Sequence, residues 1–193
     1  MTATPDDAAR SPLPALCLIG LRGSGKSVLG ARLAAATGGT FVDLDEAACR
    51  RMGVESVTAA FERHGEEGFR RAELESLRDL GERLEPGTVL ALGGGTPCSE
   101  PGRELVERLK RAGTVIAWLD APDAALASRL ARGTDRPRLR GASIEEEIAT
   151  LRAERQRTYR RLADLRVDTD AFTVEGAMRA IRSWCGDRTD EPE

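Results

Sequence analysis

Residues 20–27 read Gly-Leu-Arg-Gly-Ser-Gly-Lys-Ser, and no other stretch constrains the folding of this chain as strongly. The run fits G-x-x-x-x-G-K-[ST] at every position. Glycines let the backbone wrap with successive N–H groups turned inward, the lysine reaches the outer phosphates, and the last hydroxyl suits Mg²⁺. Such a loop joins a buried strand to a helix whose N-terminus faces the anion. Both flanks are present: Ala15-Leu16-Cys17-Leu18-Ile19 is an apolar run of strand length, and 28–36 carry Val28, Leu29 and Leu33 with alanines between them. The chain holds 27 arginines but two lysines, and Lys26 is one of the two. Where a compact ammonium is not required, this sequence prefers a guanidinium. A nucleoside triphosphate is the expected ligand.

With 193 residues, 40% hydrophobic and 32% charged, the chain is expected to form one soluble domain with a substantial core. A net charge of −3 argues against a nucleic-acid or anionic-membrane partner. No apolar stretch approaches the ~20 residues that span a bilayer. Residues 1–14 are polar and rich in Pro and Ala, without the plan of a signal peptide, and 186–193 are similarly polar. Both read as disordered tails around a domain at 15–185. Cys17, Cys49, Cys98 and Cys185 show no C-x-x-C spacing, which fits reduced thiols better than a metal site. The expectation is a cytoplasmic monomer.

Strand-like and helical segments alternate. Strands are expected at 15–19, 40–43, 88–92, 113–119 and 165–168. Helices are expected at 28–36, 46–52, 57–63, 66–84, 100–111, 122–131, 143–163 and 174–184. Apolar strands alternating with helices imply a parallel sheet covered on both faces, with ligands beyond the carboxyl ends of its strands.

Three sets of residues fall at those ends. Asp43 and Asp45 follow the second strand, where period-two spacing would send both carboxylates into the cleft. Asp43 is the candidate near a metal, since the strand at 88–92 ends in Gly93-Gly94-Gly95 and brings no acid. Asp45 is left for a second substrate, although Asp also suits an N-cap ahead of Glu46. The three glycines allow a backbone to pass close to a ligand.

Arginines are separated by position. Ile144, Ile148, Leu151, Tyr159 and Leu162 form the buried stripe of the long helix, and Arg155 falls on it, where an inward guanidinium needs an anion. Arg152, Arg157, Arg160 and Arg161 lie off the stripe and are expected in solvent. Arg70 has Glu73 at i+3, a spacing that suits a fixed guanidinium as well as a surface ion pair. The segment 129–140 carries five arginines with Gly133 and Pro137 and reads as a mobile lid over the nucleotide.

Taken together, G-L-R-G-S-G-K-S, F-V-D-L-D, G-E-E-G-F-R-R-A-E, L-G-G-G-T, R-P-R-L and R-Q-R-T-Y resemble shikimate kinase, from Leu16 to about Trp184. The resemblance implies a three-layer α/β/α P-loop kinase fold with a five-stranded parallel sheet. It also implies a small helical substrate-binding region at about 43–71 and a lid at about 129–141. The implied reaction moves the γ-phosphate of ATP to the 3-hydroxyl of shikimate, on the route to chorismate and the aromatic amino acids. By the same resemblance Gly23, Ser24, Gly25, Lys26, Ser27 and Val28 bind ATP, and Ser27 and Asp43 hold Mg²⁺. Asp45 contacts the shikimate hydroxyls as the base, and Arg70 and Arg155 hold its carboxylate beside Gly93, Gly94 and Gly95. Arg136 approaches the transferring phosphate, and Arg129 or Arg132 packs near adenine. Two positions depart from the common pattern: Arg138 follows Pro137, and Val28 follows Ser27. His64, the single histidine, is expected to be peripheral.

Two other readings share parts of this pattern. A gluconate-type kinase would keep the phosphate loop and lid but does not call for the Asp-x-Asp, Phe-Arg and triple-Gly set together. A ligand sensor would bind without turnover, although too few residues precede the first strand for a DNA-binding domain.

Overall fold

Five short apolar segments pair into one parallel sheet in the order β2-β3-β1-β4-β5. They are β1 (Leu16–Ile19), β2 (Thr40–Asp43), β3 (Thr88–Ala91), β4 (Val115–Asp120) and β5 (Leu165–Asp168). This computed structural model describes residues 13–132 and 143–189. β1 lies at the centre, so the loop that follows it opens in the middle of the sheet edge, where chain connections diverge to either side.

Side chains alternate across the sheet with period two, and each face has its own core. Leu16, Leu18, Val89, Ala117 and Leu119 meet Leu29 and Leu33 of α1 (Lys26–Thr37) and Ile181 of α7 (Val174–Thr189). Cys17, Ile19, Leu90, Ile116 and Trp118 meet the other layer. That layer holds Leu77 of α3 (Val57–Gly81), Val106 of α4 (Glu100–Arg111), Leu126 of α5 (Asp123–Ala131) and Leu151 of α6 (Ile144–Leu162). The expected three-layer α/β/α architecture with five parallel strands is therefore present. A smaller cluster, Ala48, Cys49, Val54, Ala60 and Phe69, packs α2 (Leu44–Met52) against α3.

Caps set the helix ends. Ser143 and Glu146 form a reciprocal capping box at the start of α6. The expected break between 63 and 66 is present at Gly65, whose φ of 70° and ψ of 171° are not helical, so α3 is two helical segments joined at a kink. Leu13, expected in a leading tail, is buried, and its carbonyl accepts from Gly87 N at 2.6 Å. An apolar side chain and a hydrogen-bonded carbonyl extend the ordered domain to that residue. At the other end α7 runs past 185 to Thr189, because its helical backbone bonding continues beyond Cys185. The rest of both expected tails lies outside the described residues. Among the described residues no helix is long and apolar enough to cross a membrane.

Candidate active site

The phosphate loop leaves β1 at Gly20 with φ 146°, where an added Cβ would run into the Leu119 carbonyl. Gly23 and Gly25 also take positive φ, so the glycines of the motif are required by backbone geometry. Gly25 caps α1, and its helix N-terminus faces the cleft. Lys26 Nζ folds over the loop and donates to the Gly20 and Leu21 carbonyls, each at 3.0 Å. Ser27 Oγ donates to Asp43 Oδ2 at 2.7 Å, while Asp43 Oδ1 accepts from Asp45 N at 3.0 Å. Asp43 thus caps α2 and holds the last hydroxyl of the loop.

The cleft over this loop is lined by Gly23, Gly25, Lys26, Ser27, Val28 and Arg129, with Asp43 and Asp45 beside them. Ser24 is buried beneath it. Val28 exposes 57% of its surface at this cleft. Arg129 is anchored by Thr169, through Nη1 to Oγ1 at 2.9 Å and Nη2 to the carbonyl at 2.8 Å. Arg132 instead turns to Ser128 on the surface. Of the two arginines left open by spacing, Arg129 faces the phosphate loop. Arg136 and the expected lid beyond Arg132 lie outside the described residues.

A second pocket adjoins the first and shares Arg22, Asp45, Gly93 and Gly94 with it. Val57, Phe61, Phe69, Arg70, Gly95 and Arg155 complete its wall. Arg70 donates to Glu73 Oε2 at 2.6 Å and to Glu66 at 3.2 Å. Glu73 is 1% exposed and also accepts from Thr96 Oγ1 at 2.7 Å. Burial raises its carboxyl above the ordinary range, Arg70 pulls the other way, and the neighbouring Asp45 adds to the rise. The pair is therefore a built fork: the i+3 spacing puts Glu73 in the core and leaves Arg70 facing the pocket.

Gly93, Gly94 and Gly95 lie outside the left-handed region, and close approach calls for the first two, while a Cβ on Gly95 would make ordinary contact. A Cβ on Gly93 would fall 2.8 Å from Asp45 Oδ1 and 2.9 Å from Thr96 Oγ1, and closer still to Glu73. A Cβ on Gly94 would stand 3.2 Å from Arg155 Nη1, and one on Gly95 3.6 Å from the Arg70 guanidinium. The bare backbone lets two carboxylates and two guanidinium groups gather around a single turn.

Several placements differ from the expectations drawn from spacing. Asp45 reaches the cleft from the first turn of α2, not by strand alternation, because β2 ends at Asp43 and the helix begins at Leu44. Arg152, expected in solvent, is largely covered: it donates to Asp120 Oδ1 at 2.8 Å, to Asp123 and to the Ala121 carbonyl. Asp120 is a buried carboxylate at the end of β4, and it also accepts from Arg166 at 2.8 Å. An acid closing a six-residue buried strand was the available signal, since it must find cations. Arg157 and Arg160 are exposed, and Arg161 pairs with Glu107 on the surface. Arg155 lines the second pocket, in line with its place on the stripe. Spacing did not reveal Arg22, which lines both pockets, or its partner Glu147 at 3.2 Å. His64 is exposed on α3.

A phosphate loop on the central strand of a five-stranded parallel sheet, opening beside a second polar pocket, defines a P-loop kinase. The sequence profile of the family described as shikimate kinase matches residues 22–185. Shikimate kinase of Chlorobium chlorochromatii is 40% identical over 179 residues, covering 86% of this chain and 90% of that one. Shikimate kinase of Xanthomonas axonopodis pv. citri is 38% identical over 179 residues, covering 90% and 96%. Among solved structures, shikimate kinase from Acinetobacter baumannii in complex with shikimate superposes with a TM-score of 0.83 at 28% identity, covering 97% of this chain and all of that one. The chain belongs to the shikimate kinase family.

Proposed function

We propose that this chain transfers the γ-phosphate of ATP to the 3-hydroxyl of shikimate, as one kinase domain acting as a monomer in the cytoplasm. The observation that carries this reading is the adjoining pair of pockets, with Asp45 on the boundary and Arg70 and Arg155 on the acceptor side. Two guanidinium groups grip a carboxylate in a fixed plane and so orient the ring that bears it. Asp45 then stands at the phosphate-loop end of the acceptor pocket, where it selects one hydroxyl and accepts its proton. Phosphoryl transfer asks for in-line placement and charge neutralisation more than for a strong base. Lys26 exchanges its two carbonyl partners for phosphate oxygens, and the loop amides and the N-terminus of α1 cradle the remaining charge. Arg129 borders the nucleotide on the side of Thr169, as the adenine-side arginine, and Arg136 is assigned to the transferring phosphate.

The residues present suit Mg²⁺. Ser27 Oγ and Asp43 Oδ2 offer a hydroxyl and a carboxylate 2.7 Å apart beside the loop. Among the described residues no cluster of three or more His, Cys, Asp or Glu is placed to hold a metal by itself. Mg²⁺ commonly takes one or two protein oxygens and completes its shell with water and phosphate. When bound, it would neutralise charge on the outer phosphates.

The test is ADP release from Mg·ATP in a coupled assay, with shikimate, gluconate or no acceptor. Release that depends on shikimate, with a phosphorylated shikimate identified by mass, is the expected result. Release with gluconate alone would reassign the acceptor. Nucleotide and shikimate binding without release would make the chain a sensor.

A further inference from the structure

Helix α6 is held against the ends of three different strands. Near its start Glu147, 3% exposed, accepts from Arg22 Nη1 at 3.2 Å, and Arg22 belongs to the loop after β1. Further along, Arg152 is bonded to Asp120 at the end of β4. Near its end Tyr159 donates to the Gly94 carbonyl, after β3, at 2.6 Å. Arg155, which lines the acceptor pocket, lies between the last two.

The first link differs from the others in what it is tied to. Asp120 closes the buried strand β4, and Gly94 lies in the turn after β3. Arg22 follows directly on the two carbonyls, Gly20 and Leu21, that Lys26 Nζ holds at 3.0 Å. An ammonium drawn to phosphate leaves those carbonyls, so the segment leading into Arg22 has one set of contacts without nucleotide and another with it. A difference in contacts of this kind is what a ligand needs in order to bias a structure. The Arg22–Glu147 pair is also well covered, with side chains 20% and 4% exposed, so solvent screens it less than a surface pair.

We propose that the Arg22–Glu147 ion pair is a positioning device that passes the state of the phosphate loop to α6. Nucleotide binding thereby sets Arg155 and tightens the acceptor pocket. The inference rests on the reading of Arg155 as a ligand of the shikimate carboxylate. Arg22 and Glu147 are positioning residues in this scheme, and a direct hold of Arg22 on the acceptor is the competing role.

The experiment uses the full chain as wild type, Arg22→Met, Arg22→Lys, Glu147→Gln and the Arg22→Met/Glu147→Gln double variant. Amide hydrogen exchange along α6 is followed with and without ADP, and shikimate affinity is measured with and without ADP. In the wild type ADP is expected to slow exchange in the first turns of α6 and to tighten shikimate by roughly fivefold or more. Arg22→Met and Glu147→Gln should each remove both responses, the double variant should be no worse than either, and Arg22→Lys should restore part. Glu147→Gln keeps the side-chain shape and guards against a folding defect.

Retention of the ADP response in Glu147→Gln, with its loss in Arg22→Met, would overturn the proposal in favour of direct contact by Arg22. Additive losses in the double variant, or wild-type α6 indifferent to ADP, would overturn it as well. Exchange in α6 that responds as expected in a protein that does not bind shikimate would instead remove the acceptor assignment and leave the tether standing.

Discussion

The Tyr159 hydroxyl donates to the Gly94 carbonyl at 2.6 Å, joining α6 to the turn after β3 across 65 residues of sequence. The ring packs 6.0 Å from Trp118 in the core, and burial holds the phenol proton on far above its ordinary pKa. The bond is therefore a fixed donor-to-carbonyl link between α6 and a turn that lines the same pocket as Arg155.

Replacement of Tyr159 by Phe keeps the packing and strips the Gly94 carbonyl of its donor. A loss of about 1 kcal/mol is expected, read as a lower urea midpoint with an unchanged slope. The KM for shikimate should rise as well. A variant with the wild-type midpoint and KM would show that the link holds nothing in place.

Asp45→Asn should bind ATP normally and lose roughly a hundredfold or more in kcat, the usual loss for a positioned base. Lys26→Ala should weaken nucleotide binding and transfer together. Equilibrium binding of a fluorescent ATP analogue separates the two effects. Near-wild-type turnover in Asp45→Asn would remove its assigned part in the reaction.

Gly93→Ala puts a methyl group among Glu73, Asp45 and Thr96, each already in contact with the turn. The protein is expected to fold, because the methyl group meets side-chain oxygens and no backbone, but the buried Glu73 and Thr96 must shift with Asp45. Displacement of Asp45 should raise the KM for shikimate and lower kcat, together by roughly a hundredfold in kcat/KM. Isothermal titration with shikimate checks the binding part. Unchanged affinity would mean that the pocket accommodates the methyl group.

Glu73 makes stability depend on pH. Its carboxyl keeps a proton to higher pH in the folded protein than in the unfolded chain, chiefly because it is buried. The associated stability is full below the unfolded pKa and is lost as pH rises through the folded value. Thermal midpoints should therefore fall as pH climbs above the ordinary glutamate range, and Glu73→Gln should lack that component. Parallel pH profiles for the two proteins would refute the assignment.

Much of this molecule was readable along the chain. The phosphate loop, the alternation of strands and helices, the break at Gly65 and the place of Arg155 follow from patterns within single segments. Each depends on local geometry, the turn of a helix or the φ of a glycine, and a short stretch contains that information. The Arg70–Glu73 spacing was visible too, but its burial was not, because burial depends on what α3 packs against.

Contacts between segments far apart in the chain were decided by the tertiary structure. Arg152 looked solvated from its own helix and is bound by Asp120, 32 residues away, because α6 crosses the end of β4. Arg22 and Glu147 meet across 125 residues, and Arg129 was separated from Arg132 only by the position of Thr169. Sequence by itself determined which local pieces form and that the first loop takes a phosphate, since those depend on spacing and backbone freedom. Only the tertiary structure decided which charges pair, because the order of strands in the sheet sets which strand ends a given helix face meets.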